Sequence, residues 1–236
     1  MPPYTHMFMR GVAALAIAIA SIAVVPAYAN TPTVAIDVGH QPGRGARGAS
    51  GTTEFVFNQR FADQLARELL AAKVPVKRIP VGLTLAQRGA AAEGAALLIS
   101  IHHDSVQPQY RARAADFSGY SLFVSRRQQQ ATYPAALACA RQVSTSLGAT
   151  GRRHSEHHAE AIAGEGRSWA DKALGIYDFD DLIVLHSSPV PALLLEVAVI
   201  ANAKEERLAR NPKWIAAQAR SVAQAAVKCL TSTRVP

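Results

Sequence analysis

Short apolar runs alternate along the first half of the chain with longer stretches in which apolar residues recur at helical spacing. In the first of these helical stretches, Phe57, Phe61, Leu65 and Leu69 lie one turn apart, and Thr52 or Thr53 precedes them as a candidate N-cap. The pattern predicts, in order, a strand over 33–37, a helix over 54–72, a strand over 74–79, a helix over 84–93 and a strand over 96–102.

The second half of the chain continues the pattern with one interruption. Strands are predicted over 120–124, 182–185 and 191–196, and helices over 133–147 and 212–229. Between them, residues 148–181 are rich in His, Glu, Arg and Gly and form an irregular stretch longer than ordinary loops, which indicates an insertion at the active site. The alternation predicts a single α/β domain, with a mostly parallel twisted sheet and helices on both faces.

The first 29 residues have a different composition. Arg10 is their only charged side chain, and it precedes an apolar run over 12–25, then Pro26 and the sequence Ala27-Tyr28-Ala29. This is the pattern of a secretory signal peptide with a small-residue cleavage site. The apolar run is shorter than the about 20 residues that a membrane-spanning helix needs. We therefore predict a signal peptide over 1–29, a mature catalytic domain over 30–236 in the periplasm, and no stable membrane anchor after cleavage.

Charge narrows the class of partner. The 236 residues are 49% hydrophobic and 18% charged, an ordinary globular balance, and their formal net charge is +8. Removal of residues 1–29 takes away Arg10 and leaves +7. A basic surface favours an anionic partner. Export and the scattered placement of the basic residues disfavour nucleic acid, so a cell-wall polymer that carries carboxylates fits better.

The two cysteines, Cys139 and Cys229, both lie in Ala-rich stretches that are predicted to be helical. Neither has a Cys or His neighbour at the spacing of metal ligands, so they are not predicted to bind zinc. An oxidising periplasm would allow them to pair if the fold brings their Cβ atoms within about 4 Å. The sequence leaves that pairing open.

Candidate metal ligands follow two of the predicted strands. His40 comes directly after the first strand, in Asp37-Val38-Gly39-His40, and His102 ends the strand over 96–102. Ligands of open α/β sheets bind at the carboxyl ends of strands. Glu54, at the start of the next helix, can add an oxygen donor, which gives a His, Glu, His set with a fourth position free for water. Read singly, each histidine could be an ordinary solvated residue, and Glu54 could simply favour the helix dipole.

A fourth acidic residue interrupts an apolar strand. Glu196 stands within the run over 192–198, where a buried carboxylate without a purpose is costly. It is therefore the candidate general base. Further carboxylates are assigned a supporting or regulatory role, although Asp37 could instead only form the turn before Gly39. This supporting set is Asp37, Asp104, Glu160 and Glu165.

At these residues the chain resembles the zinc-dependent N-acetylmuramoyl-L-alanine amidases of the Amidase_3 type. The likeness spans most of residues 33–230 and consists of an Asp-x-Gly-His motif, a later Glu, a Ser-Ile-His motif and a late Glu, with Asn202 in the usual following position. The resemblance implies that one zinc ion is held by His40, Glu54 and His102. It also implies that Glu196 is the catalytic glutamate.

The resemblance further implies the reaction. Such enzymes use a zinc-activated water to cut the amide between N-acetylmuramic acid and L-alanine of the peptidoglycan stem peptide. Some relatives carry an inhibitory helix that an activator protein releases, and the stretch over 148–181 offers blockers or substrate contacts, or else a solvated loop. The chain departs from the family pattern at Val38, His103 and His186. His102 is favoured over His103 as the ligand, because neighbouring residues on a strand point to opposite faces.

Two other functions share these features. A zinc peptidase or deacetylase that acts on another wall bond would need the same metal centre with different groove contacts. A non-catalytic peptidoglycan-binding protein would depend on the +7 charge and retain only a vestigial metal site. Products released from purified muropeptides distinguish the enzymes from each other, and turnover distinguishes both from a binding protein.

Overall fold

A computed structural model describes Met1 and residues 32–129 and 131–232 of the chain. The predicted signal peptide falls, apart from Met1, outside these residues. The strands and helices from residue 32 onward are labelled in chain order: β1 (Val34–Val38), α1 (Glu54–Ala71), β2 (Val76–Arg78), α2 (Leu85–Ala90), β3 (Leu97–Asp104), β4 (Ser121–Val124), α3 (Tyr133–Gly148), β5 (Ser168–Asp171), β6 (Ile176–Asp178), α4 (Ile183–His186), β7 (Ala192–Val199), α5 (Ala203–Arg210) and α6 (Pro212–Ser232).

The strands form one seven-stranded sheet in the order β2-β1-β3-β7-β4-β6-β5. Parallel pairing joins β2, β1, β3 and β7, and also joins β4 to β6, whereas β7–β4 and β6–β5 are antiparallel. The predicted mostly parallel α/β sheet is therefore confirmed. The carboxyl ends of β1, β3 and β7 lie at the same edge of the sheet. The chain passes from β1 to β2 on one side of β1, whereas β3 lies on the other side. Ligand sites of open α/β sheets form at such a reversal of strand order.

Both faces of the sheet are covered, because the central strands are apolar at nearly every position. Odd-numbered residues of β3, such as Leu97, Ile99 and Ile101, pack with α1, α3 and α6. Leu98 packs on the opposite face, in a second cluster that includes residues of α4. Side chains of a strand alternate between faces, so the parity of a residue number decides the face that it reaches. This parity assigns His102 and His103 to different sides.

Two local predictions were wrong, and one helix was missed. Residues 182–185 are not a strand, since α4 forms one helical turn there, and a short apolar run cannot separate these two structures by pattern. The stretch over 148–181 is not wholly irregular, because β5 and β6 extend the sheet beyond β4. Helix α5 was missed, since it is short and strongly polar and lies between β7 and the longer α6.

Helices α3 and α6 pack side by side and are covalently joined. Cys139 of α3 and Cys229 of α6 form a disulfide, with their Cα atoms 5.2 Å apart and a sequence separation of 90. Both cysteines are buried in the core beneath these helices. The fold thus brings together the two residues whose pairing the sequence left open. Among the described residues, no helix is long and apolar enough to cross a membrane.

Candidate active site

Three side chains from separate elements converge at the carboxyl edge of the sheet. His40 follows β1, Glu54 is the first residue of α1, and His102 lies near the end of β3. His40 Nε2 is 2.9 Å from Glu54 Oε2, and His102 Nδ1 is 3.0 Å from Glu54 Oε1. One ligand atom from each residue lies within 4.8 Å of the other two. The structure therefore brings the three predicted ligands into one cluster.

The spacing of this cluster fits a tetrahedral zinc ion. Two ligand atoms that are each about 2.0–2.1 Å from such an ion are about 3.3 Å apart. The two histidine nitrogens lie 2.9 and 3.0 Å from the two different oxygens of Glu54, and one ligand atom of each residue lies within 4.8 Å of the others. Two imidazoles and a carboxylate also form a donor set that Zn²⁺ prefers. Burial alone would raise the pKa of Glu54, but its hydrogen bonds with His102 and His40 outweigh burial and hold that pKa well below its usual range. Glu54 is thus ionised, as a ligand must be.

The backbone between β1 and α1 is shaped around these side chains. A Cβ atom on Gly39 would lie 2.5 Å from Nε2 of His102, so only glycine lets the imidazole approach the loop this closely. A Cβ on Gly45 would meet both Glu54 and His40 at 2.8 Å. His40 itself has a φ of 66°, a left-handed conformation that is uncommon outside glycine. Such conformations cluster at functional sites, where surrounding contacts maintain them.

Glu196 enters the same cluster through strand pairing. It lies directly across from His102 in the parallel β3–β7 register, and the two side chains therefore share a face of the sheet. His102 Nδ1 is 4.0 Å from Glu196 Oε1, and Glu196 Oε2 is buried without a hydrogen-bond partner among the described residues. Burial raises the pKa of Glu196 well above the usual range of a carboxyl group, and the charges of Asp104 and Glu54 raise it further. A largely buried carboxyl group, one oxygen of which has no hydrogen-bond partner among the described residues, thus lies beside the three donors.

Asn58 fixes the orientation of Glu54 and was not predicted from the sequence. Its amide nitrogen donates to Glu54 Oε1 and to the carbonyl of Gly39, both at 3.1 Å, and its amide oxygen is 2.9 Å from His103 Nδ1. His103 lies on the far side of the sheet from His102 and is buried against Phe57 and Phe61. Burial lowers the pKa of His103 to about 3. A polar residue one turn after Glu54, on a helix face otherwise formed by apolar side chains, was the available signal for Asn58.

Asp37 does not orient a histidine among the residues that the structure describes. Its carboxylate is held by Arg88 of α2, with Nε 2.7 Å from Oδ1, and by the hydroxyl of Ser100 at 2.6 Å from Oδ2. Arg88 also donates to the carbonyl of Val38. The buried ion pair therefore secures the end of β1, and its contribution to the candidate site is the position of the backbone that leads to His40.

The other predicted supporting carboxylates lie beyond Glu196. Asp104, at the end of β3, contacts both His157 and His158, and Glu165 contacts the other ring nitrogen of His158. These histidines occupy a short 3-10 turn within the stretch over 148–181. Glu160 lines a separate cavity of about 590 Å³ on that side of the molecule. No described side chain of this stretch lies within the His40, Glu54 and His102 cluster.

Solved structures share this fold. The amidase Ami1 from Mycobacterium smegmatis superposes with a TM-score of 0.70 at 18% identity, covering 86% of this chain and 98% of that one. An N-acetylmuramoyl-L-alanine amidase from Clostridium difficile 630 gives 0.69 at 22% identity, covering 86% and 99%. The CwlD amidase from Clostridioides difficile, solved with the GerS lipoprotein, gives 0.64 at 15%, covering 86% and 100%.

Sequence comparison identifies the family. None of the curated protein sequences compared with the chain matches it significantly. The sequence profile of the N-acetylmuramoyl-L-alanine amidases, in contrast, matches residues 34–228, which is most of the chain and includes every side chain of the cluster and Glu196. The chain therefore belongs to the Amidase_3 family of N-acetylmuramoyl-L-alanine amidases.

Proposed function

We propose that this peptidoglycan amidase cuts the bond between the lactyl group of N-acetylmuramic acid and L-alanine of the stem peptide, with His40, Glu54 and His102 holding one zinc ion. The observation that carries this assignment is the register of β3 and β7. It sets the acid Glu196 beside a donor triplet that matches the spacing of a zinc site. Three protein ligands leave a vertex for solvent or substrate, as in hydrolytic zinc sites.

Glu196 is assigned the proton transfers. When bound, zinc supplies positive charge that polarises the scissile carbonyl, acidifies a water and lowers the pKa of nearby Glu196. The Glu196 carboxylate accepts the proton of the attacking water as the carbon–oxygen bond forms. It then delivers that proton to the leaving nitrogen as the carbon–nitrogen bond breaks. The products are the lactyl carboxylic acid on the glycan and the free amine of L-alanine.

Export to the periplasm is the second part of this proposal. The pattern over 1–29 supports a cleaved signal peptide, and the buried Cys139–Cys229 disulfide is typical of proteins that mature in an oxidising compartment. The net charge of +7 after cleavage favours a polymer that carries carboxylates. Substrate, compartment and redox chemistry are then consistent with one another.

Glu196→Gln tests the chemistry, because it retains the size of the side chain and removes the group that carries the proton. General acid–base groups contribute about 10²–10⁴-fold to rates, so dye release from labelled sacculi should fall by about that factor. Glu93→Gln, an exposed position that precedes the amino end of β3, is the matched control and should retain the full rate, because the site lies at the carboxyl end of that strand. Chelation should abolish release by the unchanged protein, and added zinc should restore it.

Mass spectrometry of digested muropeptides tests the bond. The expected products are disaccharide with an intact lactyl group and stem peptide that begins with a free L-alanine amine. Cleavage within the peptide, or loss of acetyl groups only, would replace the amidase assignment with the peptidase or the deacetylase. If the unchanged protein and Glu196→Gln both bind sacculi and neither releases products, only a wall-binding function would remain.

A further inference from the structure

A second group of metal-binding side chains lies on the other side of Glu196. Asp104 follows His102 by two residues on β3, and its Oδ2 is 3.1 Å from Nε2 of His157 and 2.9 Å from Nε2 of His158. One ligand atom of each residue lies within 4.8 Å of the others. The side chains are only 4–11% exposed. This group shares no residue with the cluster of His40, Glu54 and His102.

The outer nitrogens of both histidines already have partners. His158 Nδ1 is 2.9 Å from Glu165 Oε2, and since an ionised carboxylate only accepts, this nitrogen carries a hydrogen. His157 Nδ1 is 2.7 Å from the hydroxyl of Ser155. Metal-binding histidines almost always use one nitrogen for such a partner, which fixes the ring and presents the lone pair of the other nitrogen to the metal.

The inner nitrogens, by contrast, face a carboxylate at close range. A neutral His158 directs the lone pair of Nε2 at Asp104, and His157 Nε2 is buried without a hydrogen-bond partner among the described residues. A proton on His158 would pair that ring with Asp104 Oδ2, and the same oxygen would then also have to serve His157 Nε2, 3.1 Å away. A divalent cation would instead bind both nitrogens and the carboxylate at once, since buried charged and polar groups require compensation.

We propose that Asp104, His157 and His158 form a second divalent-cation site, distinct from the proposed zinc site of His40, Glu54 and His102. The separations of 2.9 and 3.1 Å are close to the about 3.3 Å between ligands of a tetrahedral zinc ion. Two imidazoles with one carboxylate select Zn²⁺ or a similar transition metal over Ca²⁺ and Mg²⁺, which prefer oxygen. Asp104, His158 and Glu196 line one cavity of about 230 Å³, which would give an ion access to two of the three ligands.

Metal stoichiometry tests the site without any assay of activity. Chelator-treated protein is dialysed to equilibrium against Zn²⁺, and bound zinc is measured by mass spectrometry. The unchanged protein should bind about two equivalents, and the His157→Gln/His158→Gln and His40→Gln/His102→Gln variants about one each. His186→Gln, whose ring contacts only a backbone carbonyl among the described contacts, is the control and should retain about two.

Each result bears on a different site. One equivalent in the unchanged protein that persists in His157→Gln/His158→Gln would overturn the second site and leave the first intact. Two equivalents in the unchanged protein and none in His40→Gln/His102→Gln would also overturn it as an independent site. Absorption of Co²⁺ loaded into His40→Gln/His102→Gln gives a further check, because a tetrahedral site yields intense visible bands whereas adventitious surface cobalt does not. The unchanged protein decides the stoichiometry even if a variant fails to fold.

Discussion

At the scale of single residues, the sequence pointed to four side chains, His40, Glu54, His102 and Glu196, and the structure places them together. Their residue types and their positions at strand ends carried enough information for that. Asn58 and Arg88 were not anticipated, since a polar residue on a helix reads as solvent-facing unless its partner is known. The pairing of Asp104 with His157 and His158 was also hidden, because it joins residues more than fifty positions apart.

Gly39→Ala provides the sharpest test at this scale. The added Cβ would lie 2.5 Å from the His102 ring and must displace it, while the fold of the sheet is unaffected. Loss of a contact that orients a metal ligand costs about 10–100-fold in metal affinity, so zinc affinity and activity should fall together by about that factor. Chelator competition measures the affinity.

Gly148→Ala is the matched control for Gly39→Ala. A Cβ at Gly148, the last residue of α3, meets no atom within 4 Å, and zinc affinity should remain unchanged. Equal affinity in the unchanged protein and in Gly39→Ala would mean that His102 does not need its position against the loop.

At the scale of elements, the long periodic helices and the central strands could be predicted, whereas β5, β6 and α4 could not. Strands β5 and β6 have four and three residues, and α4 has four, so none of the three has enough positions to display a period. Their conformation is decided by the neighbours that they meet. The sheet extends over β6 because β4 offers a free edge to it, which is a tertiary contact and leaves no mark in the local pattern.

The start of α5 depends on Asn202, which also contacts residues remote in the sequence. Its side-chain oxygen accepts from Lys204 at the start of α5, and its side-chain nitrogen donates to the carbonyls of Ala115 and Phe117. Asn202→Ala should lower the free energy of unfolding by about 2–4 kcal/mol, from the lost cap and the carbonyl of buried Phe117 left without its donor. Urea denaturation measures this change.

Asn211, the exposed residue before α6, serves as the comparison for Asn202. It accepts from Lys213 and Trp214 but makes no remote contact among the described residues. Asn211→Ala should therefore cost only about 0.5–1 kcal/mol. Equal costs at the two positions would show that the remote carbonyls contribute nothing.

At the scale of the whole molecule, the disulfide and the layered packing determine stability. The α/β class and the single sheet followed from the alternation of the sequence, whereas the antiparallel entry of β4 and the Cys139–Cys229 pairing did not. The first depends on the pairing of β4 with β7, and the second on the packing of α3 against α6. Local patterns contain no information on the relative placement of two helices that are more than sixty residues apart.

Reduction of the disulfide should destabilise the α/β domain. A disulfide that closes a long loop lowers the conformational entropy of the unfolded chain. Native disulfides of this kind contribute about 2–5 kcal/mol to the free energy of unfolding. Thermal unfolding of residues 30–236 with and without reductant measures the change. The Cys139→Ala/Cys229→Ala variant is the control, and its melting temperature should not respond to reductant. A response of equal size in both proteins would assign the effect to another cause.

The pairing of His102 with Glu196 across β3 and β7 has one more consequence, for refolding. A slip of β7 by a single residue would rotate Glu196 to the opposite face, beneath the helices, while leaving helix and strand content nearly unchanged. Circular dichroism would count such misaligned molecules as native, but hydrolysis would not. Recovered turnover therefore reports the fraction of chains with the correct strand alignment.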